Sequence, residues 1–330
     1  MVRCAILIVH WNSWEHLHHC LESLAKQSYK DFRVFVADNA SKQPPPDGIF
    51  STLPDIFFVK NELNYGFAKA NNLLLEHAKE YELTVFLNPD SFPEPDWFEQ
   101  LISAVKENPG YSFFASRLLV AKHPDILDGD GDNFHITGYA WRFGHGKPVD
   151  NSRICREVFS PCAASAMYRT KAIIDVGGFD EDFFCYLEDV DLGFRLRLIG
   201  NKCLLVPSAR VRHVGSATSS ERNPTFQLYH GHRNLVWTYV KNMPGLLFWT
   251  LMPFHLSLNL FSIVWFVLRG NGCAILNAKC DAIKGIPSMW RKRRDIQAAR
   301  VVSAKEIWRI MNKQFLPWIS STHFVSRNDK

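Results

Sequence analysis

The sequence predicts an α/β protein built on a mostly parallel, doubly wound β-sheet. The chain has 330 residues, of which 47% are hydrophobic and 22% charged, so it can bury a large core. Residues 3–9 form a nearly continuous apolar run, which is typical of a strand buried on both faces. Because strand and helix patterns then alternate up to residue 87, the strands are expected to be parallel, with helices on both faces of the sheet.

The elements of this first half can be placed in order. Ser13 follows the first strand and is expected to cap a helix that runs to about Gln27. A second helix is predicted at about 67–79. The remaining strands of this half are predicted at 32–37, 56–59 and 83–87.

Three polar side chains follow the ends of three predicted strands. Asn12, Asp38 and Asp90 each come shortly after an apolar run. In open α/β sheets, ligands bind in the crevice outside the carboxyl ends of the strands. We therefore expect these three side chains to belong to one ligand site.

The second half of the chain is less regular. Two stretches rich in glycine with aspartate or histidine, 128–132 and 144–146, predict a long, mobile loop that folds over a ligand. Residues 158–168 are expected to return to the core. A helix that follows the acidic cluster should end at Gly200, and a further strand is predicted at 202–206.

The cysteines and the amino terminus indicate an intracellular protein. None of the eight cysteines forms a CxxC pair, so they are predicted to be buried free thiols in a reducing compartment. The first residues show no signal-peptide pattern. The histidine-rich segment 16–20 is interpreted as one side of a helix whose core face is Leu17, Leu21 and Leu24, rather than as a zinc site, because no second ligand pair has metal-finger spacing.

A long uncharged segment lies near the carboxyl terminus. Residues 242–268 contain no charged side chain and are long enough to span a bilayer. They include Pro253, however, and His255, Asn259 and Ser262 fall on one helical face. Such a polar stripe is typical of a helix that lies in the membrane interface.

Positive charge is concentrated beyond this segment. Residues 269–300 contain eight Lys or Arg and two Asp, a net charge of +6, whereas the whole chain carries +5. A single crossing would place the run 290–294 outside, against the positive-inside tendency. We therefore expect in-plane or re-entrant helices on an anionic membrane surface. A core helical hairpin of a soluble protein is the alternative.

Five short stretches occur in a characteristic order: 8–13 (IVHWNS), 36–41 (VADNAS), 64–71 (NYGFAKAN), 87–90 (LNPD) and 177–191. Together they resemble the family 2 glycosyltransferases with the GT-A nucleotide-sugar fold, in particular the bacterial rhamnosyltransferase-like branch. The resemblance covers about the first 240 residues. It implies a catalytic domain at 1–240 and a helical, membrane-associating region at 241–330.

The resemblance implies a nucleotide site at the first two strand ends. Asp38, beside Asn39, would accept a hydrogen bond from N3–H of uracil or thymine, which suits UDP or dTDP donors equally. Asn12, Gly66 and Asn71 would lie near the nucleotide, with the helix that begins at Gly66 facing the diphosphate. An Asx turn at Asp38 and an ordinary glycine turn at Gly66 are the alternatives.

The resemblance also implies a divalent metal, Mg²⁺ or Mn²⁺. Asn88, Pro89 and Asp90 occupy the place of the family's DxD motif, so Asp90 would hold the metal and Asn88 would aid indirectly. Asn88 replaces the first acid of that motif, which removes one anionic ligand. His213 would complete the metal site, and a structural, partly buried histidine is the alternative.

Three carboxylates, Glu188, Asp189 and Asp191, lie within four positions before a predicted helix. The resemblance implies that Asp189 is the general base of an inverting transfer, while Glu188 and Asp191 orient the acceptor or the helix. Helix capping is the alternative, and Asp191 is the first candidate for it. Arg233 is a candidate contact to the diphosphate of the donor or of a lipid acceptor, with a capping or ion-pair role as the alternative.

These features imply an inverting, metal-dependent glycosyltransferase on the cytoplasmic side of the inner membrane. The leading expectation is transfer of L-rhamnose from dTDP-rhamnose to a growing, lipid-linked polysaccharide; a UDP-sugar-dependent hexosyl or N-acetylhexosaminyl transferase is the alternative. A sugar nucleotidyltransferase would need a cationic, Gly-rich loop where residues 10–14 lie. A non-catalytic scaffold is disfavoured by Asp38, Asp90 and Asp189. No nucleic-acid partner is expected.

Overall fold

The computed structural model describes residues 3–53, 55–215 and 224–314. Within these ranges the strands are β1 (Cys4–His10), β2 (Phe32–Asp38), β3 (Phe57–Lys60), β4 (Leu83–Leu87), β5 (Ser91–Pro93), β6 (Phe113–Val120), β7 (His123–Gly129), β8 (Asp132–Phe134), β9 (Ala140–Arg142), β10 (Arg156–Val158), β11 (Ser165–Arg169) and β12 (Cys203–His213). The α-helices are α1 (Trp14–Ala25), α2 (Gly66–Ala78), α3 (Trp97–Glu107), α4 (Thr170–Asp175), α5 (Glu188–Leu198), α6 (Pro224–Asn242), α7 (Gly245–Leu268), α8 (Gly272–Ala298) and α9 (Ala304–Ile310).

The strands form a ten-stranded mixed sheet with the order β10-β12-β6-β11-β4-β1-β2-β3, while β5 pairs with β12 and β7 with β6. Strands β4, β1, β2 and β3 are parallel neighbours, and β11 runs antiparallel to both β4 and β6. The predicted α/β architecture is confirmed, and the elements of the first half lie within about two residues of their predicted bounds.

Helices cover both faces of this sheet, as the buried runs predict. On β1, Ile6 and Ile8 pack with α1 and α3, whereas Ala5 and Leu7 pack with α2 and α5 on the other face. This alternation follows from the two-residue period of a strand. Ser13 is the N-cap residue of α1, as expected, but its hydroxyl contacts His16 Nδ1 at 2.8 Å and makes no capping hydrogen bond to the backbone.

The predicted mobile loop over 128–146 is wrong. This region contains part of β7 and the paired strands β8 and β9, in which Asp132 lies opposite Arg142. Asp130 is buried, and its two carboxylate oxygens accept hydrogen bonds from Arg117 at 3.0 and 2.8 Å. The aspartates are thus paired with arginines inside the protein, rather than solvated as in a mobile loop.

The histidine-rich segment lies on α1, as expected. Leu17, Leu21 and Leu24 are buried, and the described residues contain no group of three metal-ligating side chains. All eight cysteines are free, as predicted. The expectation that all are buried is wrong for the half-buried Cys185 and for three exposed thiols, Cys155, Cys273 and Cys280.

The polar stripe of the uncharged segment faces the protein. Helix α7 is the one helix in the described part of the chain that is long and apolar enough to cross a membrane. His255 Nδ1 lies 2.8 Å from the Thr137 carbonyl oxygen, and Lys279 Nζ donates to Asn259 Oδ1 at 2.6 Å. The polar stripe is thus bound inside the protein, and the placement of α7 in the membrane interface stays a prediction.

The outer face of α7 is apolar instead. Its exposed large side chains are Leu246, Trp249, Phe254, Leu256, Leu260, Phe261, Val264, Trp265, Val267 and Leu268. A contiguous apolar surface of this kind is unusual on a soluble monomer and marks a surface that binds lipid or protein.

Part of the basic run beyond α7 is used inside the protein. Lys292 forms ion pairs with Asp180 and, at 2.8 Å, with Asp182. Arg293 is buried, donates to the Val240 carbonyl at 2.8 Å and stacks on Phe248. Only Arg291 and Arg294 of this run are exposed, so the basic surface is smaller than the sequence suggests.

Helix α2 begins at a glycine that joins it to the segment before α5. Gly66 has φ +76°, and a Cβ there would lie 2.6 Å from the Phe184 carbonyl oxygen and from its ring. The amides of Phe67 and Ala68 donate to the same carbonyl at 2.7 and 3.1 Å. Only glycine satisfies both the backbone conformation and this close approach.

We therefore expect Gly66→Ala to lower the free energy of unfolding by about 2–4 kcal/mol, from left-handed backbone strain and overpacking. Urea denaturation measures it. Gly110→Ala is the control, because Gly110 lacks a positive φ and no atom lies within 4 Å of the position that a Cβ would take there. Equal stability of Gly66→Ala and the control would show that α2 and the segment near Phe184 are not held this closely.

Candidate active site

The carboxyl ends of β2, β1 and β4 bring the predicted nucleotide residues to one edge of the sheet. Asp38 is buried; its Oδ1 accepts a hydrogen bond from the Ser41 amide at 2.9 Å. Its Oδ2 is buried and has no hydrogen-bond partner among the described residues. A buried carboxylate oxygen without a partner is costly, so this atom is available to a ligand that donates a hydrogen bond.

A second unsatisfied side chain lies beside Asp38, and sequence reasoning missed it. His10 is paired in register with Asp38, and both of its ring nitrogens are buried without a hydrogen-bond partner in the described structure. Burial lowers the pKa of His10 to about 4 despite the nearby Asp38, so the ring is neutral at pH 7. The signal in the sequence that could have identified His10 is its position at the end of an apolar strand.

Asn12 and Asn39 shape the loops of this edge. Asn12 Oδ1 accepts from the Lys42 amide, and the Asn12 amide donates to Ser41 Oγ, both at 2.8 Å. Asn39 Oδ1 accepts from the Tyr65 amide at 3.1 Å, and its Nδ2 donates to Asn64 Oδ1 at 2.8 Å. These side-chain groups hold the loops together, so a direct contact with nucleotide stays a prediction.

The start of α2 does not offer free amides to a diphosphate. The Gly66 amide donates to Asn64 Oδ1 at 2.9 Å, and the next two amides donate to the Phe184 carbonyl. Protein oxygens already accept these three hydrogen bonds, and a contact between this helix start and the diphosphate stays a prediction. Asn71 is buried, and its Nδ2 donates to the Phe67 carbonyl at 2.9 Å.

Asp90 and His213 meet, as the resemblance implies. Asp90 Oδ1 lies 3.4 Å from His213 Nε2, and both side chains are buried. The other ring nitrogen of His213 lies 2.7 Å from Asp128 Oδ2. Asn88 is half-buried, and its amide donates to the Ala164 carbonyl at 3.0 Å. One oxygen and one nitrogen ligand thus converge, and their role toward a metal stays a prediction.

The electrostatics of this pair favour a charged imidazole. Burial alone would lower the pKa of His213, but Asp90 and Asp128 outweigh it and raise the pKa to about 9. Burial alone would raise the pKa of Asp90, and the His213 charge lowers it instead. The Asp128 pKa is held well below its usual range, against the effect of burial, by Arg142 and by hydrogen bonds from His145 and His213.

Sequence reasoning also missed Asp128, Asp132 and Arg142. Arg142 forms an ion pair with Asp128. Burial, and then the negative charge of Asp189, raises the pKa of Asp132 well above its usual range. The alternation of aspartates at 128, 130 and 132 places them on one face of an extended chain, which was the available signal.

Asp189 is held by two backbone amides. Its Oδ2 accepts from the Ala163 amide at 3.0 Å and its Oδ1 from its neighbour Val190 at 2.8 Å. Burial raises the pKa of Asp189, and these hydrogen bonds oppose it. Glu188 is buried with Oε2 unpartnered in the described residues, and burial, followed by the Asp189 charge, raises its pKa well above the usual range.

Asp191 is not the cap of α5. The residue before the helix is Leu187, which makes no side-chain capping hydrogen bond. Asp191 is fully buried and binds Arg195 Nε at 2.8 Å, Lys241 Nζ at 2.9 Å and Asn242 Nδ2 at 2.7 Å. It therefore fixes α5 against α6, and it has no exposed oxygen for an acceptor.

Arg233 binds main-chain oxygens of the segment before α5. Its Nη2 donates to the carbonyls of Phe183 and Asp182 at 2.9 and 3.1 Å, and its Nε donates to Asn234 Oδ1 at 2.9 Å. These carbonyls end the short 3₁₀ helix Glu181–Phe183, so this is a capping contact, whereas Arg233 forms no ion pair with the described residues. A contact with a diphosphate stays a prediction.

Residues 183–187, which we call the acid-cluster loop, have an unusual backbone. Phe184, Tyr186 and Leu187 have φ values of +64°, +67° and +65°. Asn234 Nδ2 donates to three carbonyls of this loop at 3.0, 2.9 and 2.7 Å. Strain of this kind persists only where neighbours over-determine the backbone, and it concentrates at functional sites.

The chain belongs to a known class of enzymes. It matches the model of glycosyl transferase family 2 over residues 5–177, slightly more than half of its length. It is therefore a member of this family and a nucleotide-sugar glycosyltransferase, as the resemblance predicted.

Among individual proteins, the chain is similar to bacterial rhamnosyltransferases. It is 26% identical over 267 residues to the N-acetylglucosaminyl-diphospho-decaprenol L-rhamnosyltransferase of Mycobacterium tuberculosis, covering 71% of this chain and 82% of that protein. It is 29% identical over 165 residues to the rhamnosyltransferase WbbL of Escherichia coli, covering 45% of this chain and 61% of that protein.

Solved structures support the GT-A fold. Residues 1–349 of S. aureus TarS superpose with a TM-score of 0.54 at 15% identity, covering 89% of this chain and 92% of that one. The mannosyltransferase PcManGT from Pyrobaculum calidifontis, in complex with GDP-Man and Mn²⁺, gives a TM-score of 0.51 at 14% identity, covering 93% and 87%.

The raised pKa of His213 predicts that stability falls at alkaline pH. Its ordinary value is near 6.5, so protonation stabilises the fold fully below about pH 6.5, and this contribution is lost as pH rises through about 9. The free energy of unfolding is expected to fall by about 3 kcal/mol over this range. Chemical denaturation with a chelator present, at several values from pH 6 to 10, measures it.

His213→Gln should flatten this alkaline decline, because the titrating group is removed. His18→Gln is the control, since His18 is an exposed histidine on α1. An equally steep decline in His213→Gln would assign the pH dependence to another group.

Proposed function

We propose that this enzyme is an inverting, metal-dependent rhamnosyltransferase that transfers L-rhamnose from dTDP-rhamnose to a lipid-linked polysaccharide precursor. The observation that carries the proposal is that Asp38 and Asp90 lie at the carboxyl ends of β2 and β4, on one edge of the sheet, and that Asp189 is joined to the end of β4. Asp189 binds the Ala163 amide, and the next carbonyl, that of Ala164, accepts from the Asn88 amide two residues before Asp90. The names of the relatives support the choice of rhamnose.

The donor base is proposed to bind at Asp38. Its unpartnered Oδ2 suits the N3–H of thymine or uracil, since a carboxylate can only accept. The neutral ring of His10 beside it offers one further donor and one further acceptor. Because Asp38 does not distinguish thymine from uracil, a UDP-sugar-dependent hexosyl or N-acetylhexosaminyl transferase is the second candidate.

Asp90 and His213 are proposed to hold Mg²⁺ or Mn²⁺. The two side chains fit a divalent cation in their chemistry, because a carboxylate oxygen and an imidazole nitrogen, Asp90 Oδ1 and His213 Nε2, lie 3.4 Å apart. Such a metal, when bound, would neutralise negative charge on the departing diphosphate. His213 must be neutral to ligate, and its high pKa means that metal binding releases a proton.

Asp189 is proposed to be the general base. It would take the proton of the acceptor hydroxyl while the new bond to the sugar forms and the bond to the diphosphate breaks. Its raised pKa makes it a stronger base than an exposed aspartate. The two amides that bind its oxygens fix the direction of the carboxylate, which suits a group that must meet one hydroxyl.

The division of the chain is proposed to follow function, with catalysis in 1–240 and membrane association in 241–330. The exposed apolar face of α7 supports binding at the cytoplasmic side of the inner membrane. Exposed cations close to it, Arg269, Arg291 and Arg294, add attraction to anionic lipid.

The central test is calorimetric binding of dTDP, UDP, GDP and CMP with and without Mn²⁺. We expect dTDP or UDP to bind, with affinity increased by the metal and lost in Asp38→Ala. Asp47→Ala is the control, because Asp47 is an exposed aspartate in the same half of the chain. A folded protein that binds none of these nucleotides would contradict the proposed donor site.

We expect Asp189→Asn to reduce transfer by about 10²–10⁴-fold, because the base is lost while the shape is retained. Nucleotide binding should be unchanged. The reaction is followed by release of dTDP, with Asp182→Asn as the exposed control in the same segment. Near-normal turnover by Asp189→Asn would refute its assignment as the base.

Vesicle binding should depend more on α7 than on the basic run. The double variant Leu256→Glu, Leu260→Glu is expected to lose most flotation with anionic vesicles, because both side chains are exposed on the apolar face. Arg291→Gln with Arg294→Gln should lose less, and Ile154→Glu, at an exposed site elsewhere, should lose nothing. A larger loss of flotation in the arginine double variant than in the leucine double variant would show that charge, rather than α7, attaches the protein to vesicles.

A further inference from the structure

A cavity of about 420 Å³ lies between α7 and the acid-cluster loop, which precedes Glu188 and Asp189. Its size falls in the range of roughly 300–1,000 Å³ that is usual for sites that bind small molecules. Residues from four parts of the chain line it: the turn before β9, the acid-cluster loop, α6 and α7. The lining residues that matter here are Leu187, Leu228, Gly231, His232, Leu235 and Phe266.

The position of the cavity links two features that the proposed function requires. At one side, Leu187 directly precedes Glu188 and Asp189. At the other side, Phe266 belongs to α7, whose outer face is exposed and apolar. A ligand in this cavity would therefore be near the proposed base and near the surface proposed to meet lipid.

The wall of the cavity combines apolar side chains with Tyr139, Tyr186, Gln227 and His232. Lys279, which is buried, donates from Nζ to Asn259 Oδ1 at 2.6 Å and to the His232 carbonyl at 3.1 Å, and it lies 3.3 Å from His232 Nδ1. Burial lowers the pKa of Lys279 to about 7. In the state in which its amino group donates to Nδ1, the ring proton lies on Nε2. Among the described residues, His232 Nε2 has no protein hydrogen-bond partner.

We propose that this cavity binds the lipid-proximal part of the acceptor, an isoprenoid diphosphate, with apolar walls around the chain and His232 Nε2–H donating to a phosphate oxygen. This inference rests on the proposed function for the choice of a lipid-linked acceptor. Lys279 is a positioning residue, since a hydrogen bond from its Nζ to His232 Nδ1 would place the ring proton on Nε2.

The lining of the cavity suits an amphipathic ligand. Leu228, Leu235 and Phe266 offer apolar surface to a hydrocarbon chain, and His232 lines the same cavity. An apolar chain gains from leaving water, at about 0.8 kcal/mol per buried CH₂. Burial, and then the nearby Lys279 charge, lowers the pKa of His232 to about 3, so its ring remains a neutral donor at physiological pH.

Gly231 gives a direct way to fill the cavity. It lies in α6, lines the cavity, and no atom lies within 4 Å of the position that a Cβ would take. Gly231→Leu should therefore place its side chain in the cavity without a clash, and alanine or leucine in place of a helix-interior glycine favours folding. Gly110→Leu is the matched control, because Gly110 has equally open surroundings and does not line the cavity.

The probe is farnesyl diphosphate, titrated into the full chain with saturating dTDP to block the donor site. We expect Gly231→Leu to weaken its binding more than tenfold, while Gly231→Ala weakens it less and Gly110→Leu leaves it unchanged. His232→Phe should reduce the affinity for farnesyl diphosphate to that for farnesol. Inorganic diphosphate alone should bind weakly.

Unchanged binding of farnesyl diphosphate by Gly231→Leu would overturn the inference, as would equal affinity of the wild type for farnesol or for inorganic diphosphate. A parallel titration of dTDP distinguishes a failure of the lipid site from a failure of the proposed donor site. Failure of dTDP to bind, with farnesyl diphosphate still sensitive to Gly231→Leu, would refute the donor site and leave the lipid site standing.

Discussion

The acid-cluster loop is the constraint on which the site depends. Three of its five residues have positive φ without being glycine, and each such conformation costs on the order of 1–3 kcal/mol. The loop keeps this shape because its carbonyls are bound from two sides. Phe184 accepts from two amides of α2, and Asn234 of α6 donates to three further carbonyls. The backbone just before Glu188 and Asp189 is thereby fixed by elements distant in sequence.

A buried ion network extends this constraint into the carboxyl-terminal helices. Lys241 of α6 pairs with Asp191 of α5 and with Asp180, and Asp180 also pairs with Lys292 of α8. A buried charge that loses its partner destabilises a fold by several kcal/mol, so these helices are tied to one another. The helix that carries the proposed base therefore shares its charges with the region proposed to bind the membrane.

The sequence was sufficient to predict the parallel half of the sheet and the protein family. Runs such as 3–9 are buried on both faces, and this leaves a local, nearly unbroken apolar signal. The second half was not predictable in the same way, because its determinants are not local. The aspartates at 128–132 look like a solvated loop until Arg117, 13 residues before Asp130, is placed beside them. Asp191 looked like a cap because its partner Lys241 lies 50 residues away.

The orientation of α7 follows from the same kind of distant contact. Thr137 and Lys279 bind polar residues of its stripe inside the protein, and the apolar side is left outward. Because the polar side is fixed inside, contact between the apolar side and a bilayer would also fix how the rest of the protein stands relative to that bilayer. Asp189, tied to α6 through the acid-cluster loop and Asp191, would then face an acceptor held at a constant depth. Catalysis on a lipid-linked substrate requires such a fixed distance between base and membrane, and here buried hydrogen bonds and ion pairs would supply it.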